Sequence, residues 1–152
     1  MNAKRRNVII LCVFITVAMG GVFADDIDDF VSALNQAWSQ TNDVQTLQVI
    51  NSRLATNTND ALALSCKMYY YIFAEGNLTN ARSAADQFMS ALNSYTNADM
   101  IAYAQEMRDE IYSMPLGALG PYMPQQQSDL RQLNLSFPFI QKSVVVARWL
   151  EQ

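Results

Sequence analysis

Residues 66–88, CKMYYYIFAEGNLTNARSAADQF, contain two helical patterns on either side of Gly76-Asn77. Before this pair, apolar side chains surround the helix almost completely, which is typical of a helix that is covered on several sides. After it, a stripe of small residues that includes Ala81 and Ala85 allows close approach to a neighbour. Gly76 suits the left-handed conformation that ends a helix, and Thr79 can cap the next helix. The stretch therefore predicts a helical hairpin whose first helix is central.

Apolar stripes at helical spacing predict further helices on the N-terminal side of this hairpin. We expect a first helix at about residues 26–40 and a second helix at about residues 44–55. Asn59 or Asp60 can then cap the central helix. Four helices are therefore predicted before residue 93.

Two more helical segments are predicted on the C-terminal side. Apolar residues from Met100 to Met114 describe a fifth helix, which Pro115 stops. Ser136 and Pro138 open a last amphipathic stretch that reaches residue 150. The β-branched run at residues 144–146 leaves a strand open as an alternative, although a single strand would have no partner elsewhere in the chain.

The first 24 residues have the layout of a secretory signal peptide. Lys4, Arg5 and Arg6 precede an apolar run that ends in small residues, and cleavage after Ala24 would make Asp25 the first mature residue. The alternative is an uncleaved membrane anchor, for which the run is short, since a spanning helix needs about 20 residues. We therefore expect an exported protein, periplasmic or secreted. Its domains would be a helical-repeat domain at 25–114, a Pro/Gly-rich connector at 115–127 and a C-terminal helical segment at 128–152.

The charge of the mature chain argues against two classes of partner. Three of the ten basic residues lie in the leader, whereas all 14 acidic residues follow it. A cleaved chain would thus have seven basic and 14 acidic side chains, with a formal charge of −7. Nucleic acid and anionic lipid would be repelled, so we expect neither a nucleic-acid partner nor a membrane partner after cleavage.

The residue types present also restrict the chemistry. The chain has no histidine, which excludes the Ser-His-Asp and Cys-His catalytic arrangements and the histidine-bearing zinc motifs. Cys66 is the only cysteine after the leader, and its apolar neighbours predict a buried thiol. The acidic residues at 25–29 fit a solvated helix start. No cofactor, metal ion or enzymatic activity is expected; a cleft that gathers Glu75, Asp86 or Glu106 around a perturbed carboxylate would favour an enzyme.

A displacement of 34 residues along the chain pairs apolar positions with apolar positions. It aligns Ile27 with Ala61, and further pairs follow, Phe30 with Leu64, Leu34 with Met68, Trp38 with Ile72, Leu47 with Ala81 and Leu54 with Phe88. Over residues 26–114 this period resembles the tetratricopeptide repeat, which implies stacked helix pairs and a concave peptide-binding face. The chain departs from the family at Asn35 and Tyr69, where the family has glycine or alanine. The predicted fold is all-α, with short antiparallel hairpins stacked as such a repeat or as a small helical bundle.

The repeat interpretation divides the aromatic residues of the central helix between two sides. Tyr69, Ile72 and Phe73 are assigned to the core. The proposed groove has a mixed aromatic and polar lining suited to a protein or peptide partner, and its candidate residues are Ser32, Gln36, Tyr70, Met107 and Arg108. A core position for Tyr70 stays open as the alternative.

The sequence thus predicts an exported, non-enzymatic helical-repeat module that binds a protein or peptide in the cell envelope or outside the cell. The alternative is a structural or accessory protein that an uncleaved N-terminal helix holds at a membrane.

Overall fold

The computed structural model of the chain describes residues 26–116 and 136–152, which form an all-α fold. Within these ranges the structure contains helices and no strand, which confirms the predicted fold class. The helices are α1 (Asp26–Ser39), α2 (Asp43–Thr56), α3 (Ala61–Phe73), α4 (Leu78–Ala91), α5 (Ala98–Ser113) and α6 (Ile140–Leu150). The predicted leader and most of the predicted connector lie outside the described residues.

Four of the helices begin at a side chain that accepts a hydrogen bond from the backbone. The caps are Asn42, Asp60, Asn77 and Asn97, and each accepts from the amide three residues further on. Such a cap satisfies one of the amides that a helix start leaves without a partner, and is worth about 1 kcal/mol. The prediction of Thr79 as the cap of α4 is wrong, because Asn77 takes this position directly after Gly76, whose φ is 62°. The left-handed conformation of Gly76 itself is confirmed.

Each of the first five helices packs against the next one along the chain. The helix α3 is central, since ten of its 13 residues are buried and it contacts α2, α4 and α6. Its contact with α4 is the most extensive, because Ala81, Ala84 and Ala85 are small enough to let the two backbones approach. The predicted hairpin with a central first helix is confirmed.

The C-terminal helix α6 packs against α1, α3 and α5 rather than against its nearest predecessor alone. Phe137, Ile140 and Val146 belong to the same hydrophobic core as the buried residues of α3. The β-branched run at 144–146 is helical, so the strand alternative is wrong. The fold therefore consists of consecutive hairpins, one side of which is covered by the end of the chain.

The helix spacing fits a repeat of helix pairs. The starts of α1 and α3 lie 35 residues apart, as do the starts of α2 and α4. The resemblance to tetratricopeptide repeats stays a prediction, since this spacing also suits a plain bundle of short hairpins.

Candidate functional site

The odd-numbered helices α1, α3 and α5 share one side of the molecule, and the C-terminal segment, residues 136–152, lies on it. Near the start of the segment, Phe139 contacts Phe73 at the end of α3, and Lys142 contacts Glu110 near the end of α5. At the other end of the segment, Arg148 contacts Asp28 in the first turn of α1. Hence α6 runs antiparallel to all three helices, and these run parallel to one another. We call the part of this side beneath α6 the inner face; it consists of Asp28, Asn35, Trp38, Cys66, Tyr69, Phe73, Tyr103 and Glu110.

Aromatic rings form most of the apolar contact between the inner face and the segment. The buried ring of Phe137 meets Trp38 edge-on, with ring centroids 5.4 Å apart. Phe139 packs against Tyr69 at 5.2 Å, and Trp149 meets Tyr103 at 5.6 Å and 90°. Rings at these separations attract one another beyond the area that they bury. The apolar side chains of the segment are therefore held at its start and at its end.

Polar contacts fix the position of the segment along the face. The backbone amide of Phe137 donates to Asn35 Oδ1 at 2.7 Å. Lys142 Nζ lies 2.7 Å from one Glu110 oxygen and 2.8 Å from the other, and Arg148 Nη2 lies 2.9 Å from Asp28 Oδ1. Ion pairs this exposed contribute little net stability, typically below about 1 kcal/mol each. Their main effect is to match the positive edges of α6 to the negative edges of the inner face.

Cys66 lies beneath the middle of α6 and is fully buried, as predicted. Burial raises the pKa of its thiol to about 12, and the neighbouring Ser143 side chain of α6 opposes this effect. Thiolate is the reactive form of cysteine, so the Cys66 thiol is unreactive while α6 stays in place.

The predicted groove residues do not form one surface. Tyr70 and Met107 are buried, with 4% and 1% of their surface exposed, so their assignment to an open groove is wrong and the core alternative for Tyr70 is confirmed. Ser32 and Gln36 are exposed on α1. Arg108 is partly exposed and pairs with Asp86 of α4, on another side of α5 from Glu110.

The sequence interpretation assigned Tyr69 to the core, where the structure places it, and assigned the buried Tyr70 to an open groove. Tyr69 and Ile72 are buried, as predicted, whereas Phe73 is partly buried and packs against the core. Phe139 of the segment covers Tyr69 and Phe73. Tyr70 instead interacts with Glu75 and faces the start of α2, where the charge of Asp43 contributes to its environment. The spacing of Cys66, Tyr69 and Phe73 on one side of the helix is the signal that could have identified the inner face.

A second cluster lies on the outer side, between α4 and α5. Tyr112 lies between two guanidinium groups, with Arg108 at 4.3 Å and Arg82 at 5.1 Å from its ring, and its hydroxyl donates to Asp86 Oδ2 at 2.6 Å. This hydrogen bond lowers the pKa of Asp86, and Arg108 lowers it further. A carboxyl group that is ionised and paired in this way is unsuited to act as a general acid.

A cavity of about 740 Å³ lies between α1 and α2. Arg53 closes one end of it, since its guanidinium contacts Asp26 and Asp60, both at 2.8 Å, and lies over the ring of Phe30. The cavity is an open groove whose carboxylates are largely matched by this one cation.

The described residues contain no group of three or more Cys, Asp or Glu side chains that could hold a metal ion. Among the helices in residues 26–116 and 136–152, none is long and apolar enough to span a membrane. Comparison with protein-family models, with curated proteins and with solved structures finds no match in any of the three.

Proposed function

We propose that the protein is an exported, non-enzymatic helical module that binds a protein or peptide partner, and that the inner face is its binding surface. One observation carries this proposal: the inner face holds an amphipathic helix, α6, across three parallel helices. Helix-in-groove recognition uses this arrangement, in which the apolar side of one helix lies in a groove formed by others. The surface therefore has the shape and the chemistry to accept a helical segment.

The residues of the inner face suit recognition. Rings such as Trp38 and Tyr69 supply large contact areas with little loss of conformational entropy, and such residues dominate binding energy at interfaces. Glu110 on α5 and Asp28 on α1 lie at opposite edges of the inner face. Carboxylates at the edges select partners by charge and orient them before they dock.

The titration behaviour of the described residues supports a binding role over catalysis. Burial raises the pKa of Cys66, so its thiol stays protonated and is a poor nucleophile at neutral pH, and hydrogen bonding lowers the pKa of Asp86, which makes this carboxyl group a poor general acid. Catalytic acids and nucleophiles need the opposite shifts.

The leader sequence supports export, and the mass of the N-terminus tests it. A mature chain that begins at Asp25 is expected. An intact N-terminus in the membrane fraction would favour the alternative of an anchored accessory protein.

Site-specific photo-cross-linking in the producing cells tests the binding surface. A benzoylphenylalanine at position 73 replaces a ring of the inner face at the end of α3, whereas one at position 87 lies on α4, away from α6. We expect an adduct of defined mass from position 73, no such adduct from position 87, and loss of the adduct when Glu110→Lys reverses the edge charge. No adduct at position 73, or an equal adduct at both positions, contradicts the proposal.

A further inference from the structure

We infer that the C-terminal segment is a displaceable occupant of the inner face, and that the ligand which replaces it is an amphipathic helix with basic side chains on both edges of its apolar stripe. This inference rests on the proposed function, because it assigns the ligand chemistry of the same surface. The segment thus competes with the partner for the inner face within the same molecule.

The ligand chemistry follows from what the inner face binds in this structure. Lys142 and Arg148 are six residues apart, which places them about 120° apart around a helix axis and lets them reach two different helices. Lys142 reaches Glu110 on α5, and Arg148 reaches Asp28 on α1. A ligand with one cation, or with both cations on one edge, could satisfy only one of these carboxylates.

The positions between the two cations must be apolar or small. Ile140, Val146 and Ala147 are buried, and Ser143 is fully buried against Cys66. Phe137, which precedes the helix, fills the space beside Trp38. The ligand is therefore expected to have an aromatic residue just before a short helix, and a small residue in the middle of the apolar stripe.

The helix α6 begins less favourably than α2 to α5 do. It starts at Phe139, which has a φ of 56°, and no side chain caps it, whereas α2 to α5 all have an Asn or Asp cap. A bulky residue rarely adopts positive φ, because its Cβ approaches the carbonyl oxygen. Phe139 also has 48% of its surface exposed. Among α2 to α6, the start of α6 is therefore the least favourable helix start, and the buried Phe137 just before it supplies the main contact that holds this end of the segment.

The interface beneath the segment also contains an unfavourable polar group. The hydroxyl oxygen of Tyr69 is buried and has no hydrogen-bond partner among the described residues. Such a group gives up its hydrogen bonds to water without replacement, so its burial opposes docking. A partner helix with an acceptor at this point would bind the inner face better than the segment does.

Competition within one molecule has a measurable consequence. A tethered segment acts at an effective concentration in the millimolar range, so a free helix of the same chemistry binds poorly until the segment is weakened or released.

A disulfide lock tests the inference in the full chain. Cys66 and Ser143 interact through their side chains, so Ser143→Cys in a Cys12→Ser background places two thiols together beneath α6. The probe is a fluorescein-labelled peptide of residues 136–152. We expect binding when the protein is reduced and loss of binding, by about tenfold or more, when it is oxidised. The control, Val145→Cys, places the second thiol on the exposed side of α6 and should bind equally in both states.

Charge reversal gives a second test that does not depend on disulfide formation. Lys142→Glu in the full chain sets two carboxylates against each other at Glu110, so the segment is weakened and the labelled peptide should bind about threefold to fivefold more tightly than to the unaltered protein. A labelled peptide that itself carries Lys142→Glu should not bind the Lys142→Glu protein more tightly than it binds the unaltered protein. Peptide binding that neither reduction nor Lys142→Glu improves overturns the inference.

The outcomes separate this inference from the proposed function. If the cross-linked partner still forms its adduct with the oxidised, locked protein, the partner binds without displacing the segment and the inference alone fails. If the peptide exchanges as expected but no partner adduct forms, displacement of the segment is supported and the proposed function fails.

Discussion

The two sides of α3 pack in different ways. Against α4, the contact consists of alanines and Phe88, all with 3% or less of their surface exposed, and α4 begins at a capped residue. Against α6, the contact consists of aromatic rings, a buried hydroxyl without a partner among the described residues, and a helix that begins without a cap. The first contact is close between backbones, while the second is made by long side chains and ion pairs at the edges.

The difference indicates two roles for helices of similar length. The hairpin of α3 and α4 is joined by a short turn, so its contacts are local and cost little loop entropy. The contact with α6 joins residues about 70 or more positions apart and depends on groups that a separate peptide could also supply. We therefore treat the α3–α4 contact as the structural centre and the α3–α6 contact as a bound ligand that belongs to the same chain.

Phe88→Ala tests the structural role of the α3–α4 contact. Removal of a fully buried phenylalanine ring is expected to lower the free energy of unfolding by about 3–5 kcal/mol, because the ring's transfer energy is lost and a cavity remains. Thermal or urea unfolding followed by far-ultraviolet circular dichroism measures the loss. The exposed neighbour Gln87→Ala should change stability by less than about 0.5 kcal/mol. A loss below about 1 kcal/mol for Phe88→Ala would remove the distinction between the two contacts.

Phe137→Ala tests whether the segment separates on its own. The ring is fully buried against Trp38. The decrease in the free energy of unfolding should not exceed the free energy that holds the segment on the inner face. We therefore expect a decrease of about 3 kcal/mol, the lower end for such truncations. Cys66 should then react faster with a thiol reagent, while hydrogen exchange in α4 stays slow. Val145→Ala, at an exposed position of α6, is the control and should leave the labelling rate unchanged. Equal acceleration of exchange in α4 and α6 would mean that the segment is part of one cooperative unit.

The positions of the helices could be predicted because their signals are local. The periodicity of apolar residues and the Asn and Asp caps lie within each helix or beside it, and the turn at Gly76 needs only its own conformational freedom. One cap was predicted wrongly: Thr79 was assigned to this role, and the observed cap, Asn77, lies two residues before it.

The site could be predicted only in part, because its decisive contacts join distant residues. Adjacent residues of a helix point about 100° apart, so Tyr69 and Tyr70 lie on different sides of α3, and no local pattern indicates that both sides are covered. Asn35 accepts a hydrogen bond from a residue 102 positions away, and no local pattern indicates this contact. Likewise, the repeat interpretation predicted an inner surface open to a ligand and gave no sign that residues 136–152 occupy it.

Alkaline pH tests how well the segment seals the inner face. Burial raises the pKa of Cys66 from its ordinary value of 9.0 to about 12. Because the pKa is raised in the folded state, the contribution of the protonated Cys66 thiol to stability is complete below pH 9 and is lost as the pH rises toward 12. The free energy of unfolding should therefore fall by up to about 1.4 kcal/mol for each pH unit above 9.

Cys66→Ala is the control for this titration. Between pH 9 and 10 the variant should show a flatter dependence, since buried tyrosines such as Tyr69 and Tyr70, whose pKa values burial also raises, contribute mainly above pH 10. Identical slopes in the two proteins would show that water reaches Cys66 beneath the segment.

The smallest expected effect compares the hydroxyl groups of Tyr69 and Tyr70, which lie on the two sides of α3. Tyr69→Phe removes a buried hydroxyl without a partner among the described residues and should raise the free energy of unfolding by about 1 kcal/mol. Tyr70→Phe removes a hydroxyl that interacts with the Glu75 side chain, so this change should not raise the free energy of unfolding and is expected to lower it by at most about 1 kcal/mol. Both changes keep the ring, so urea unfolding reports the hydroxyl alone. A loss of stability with Tyr69→Phe would mean that this hydroxyl does have a partner, and one unfavourable feature of the segment's docking would disappear.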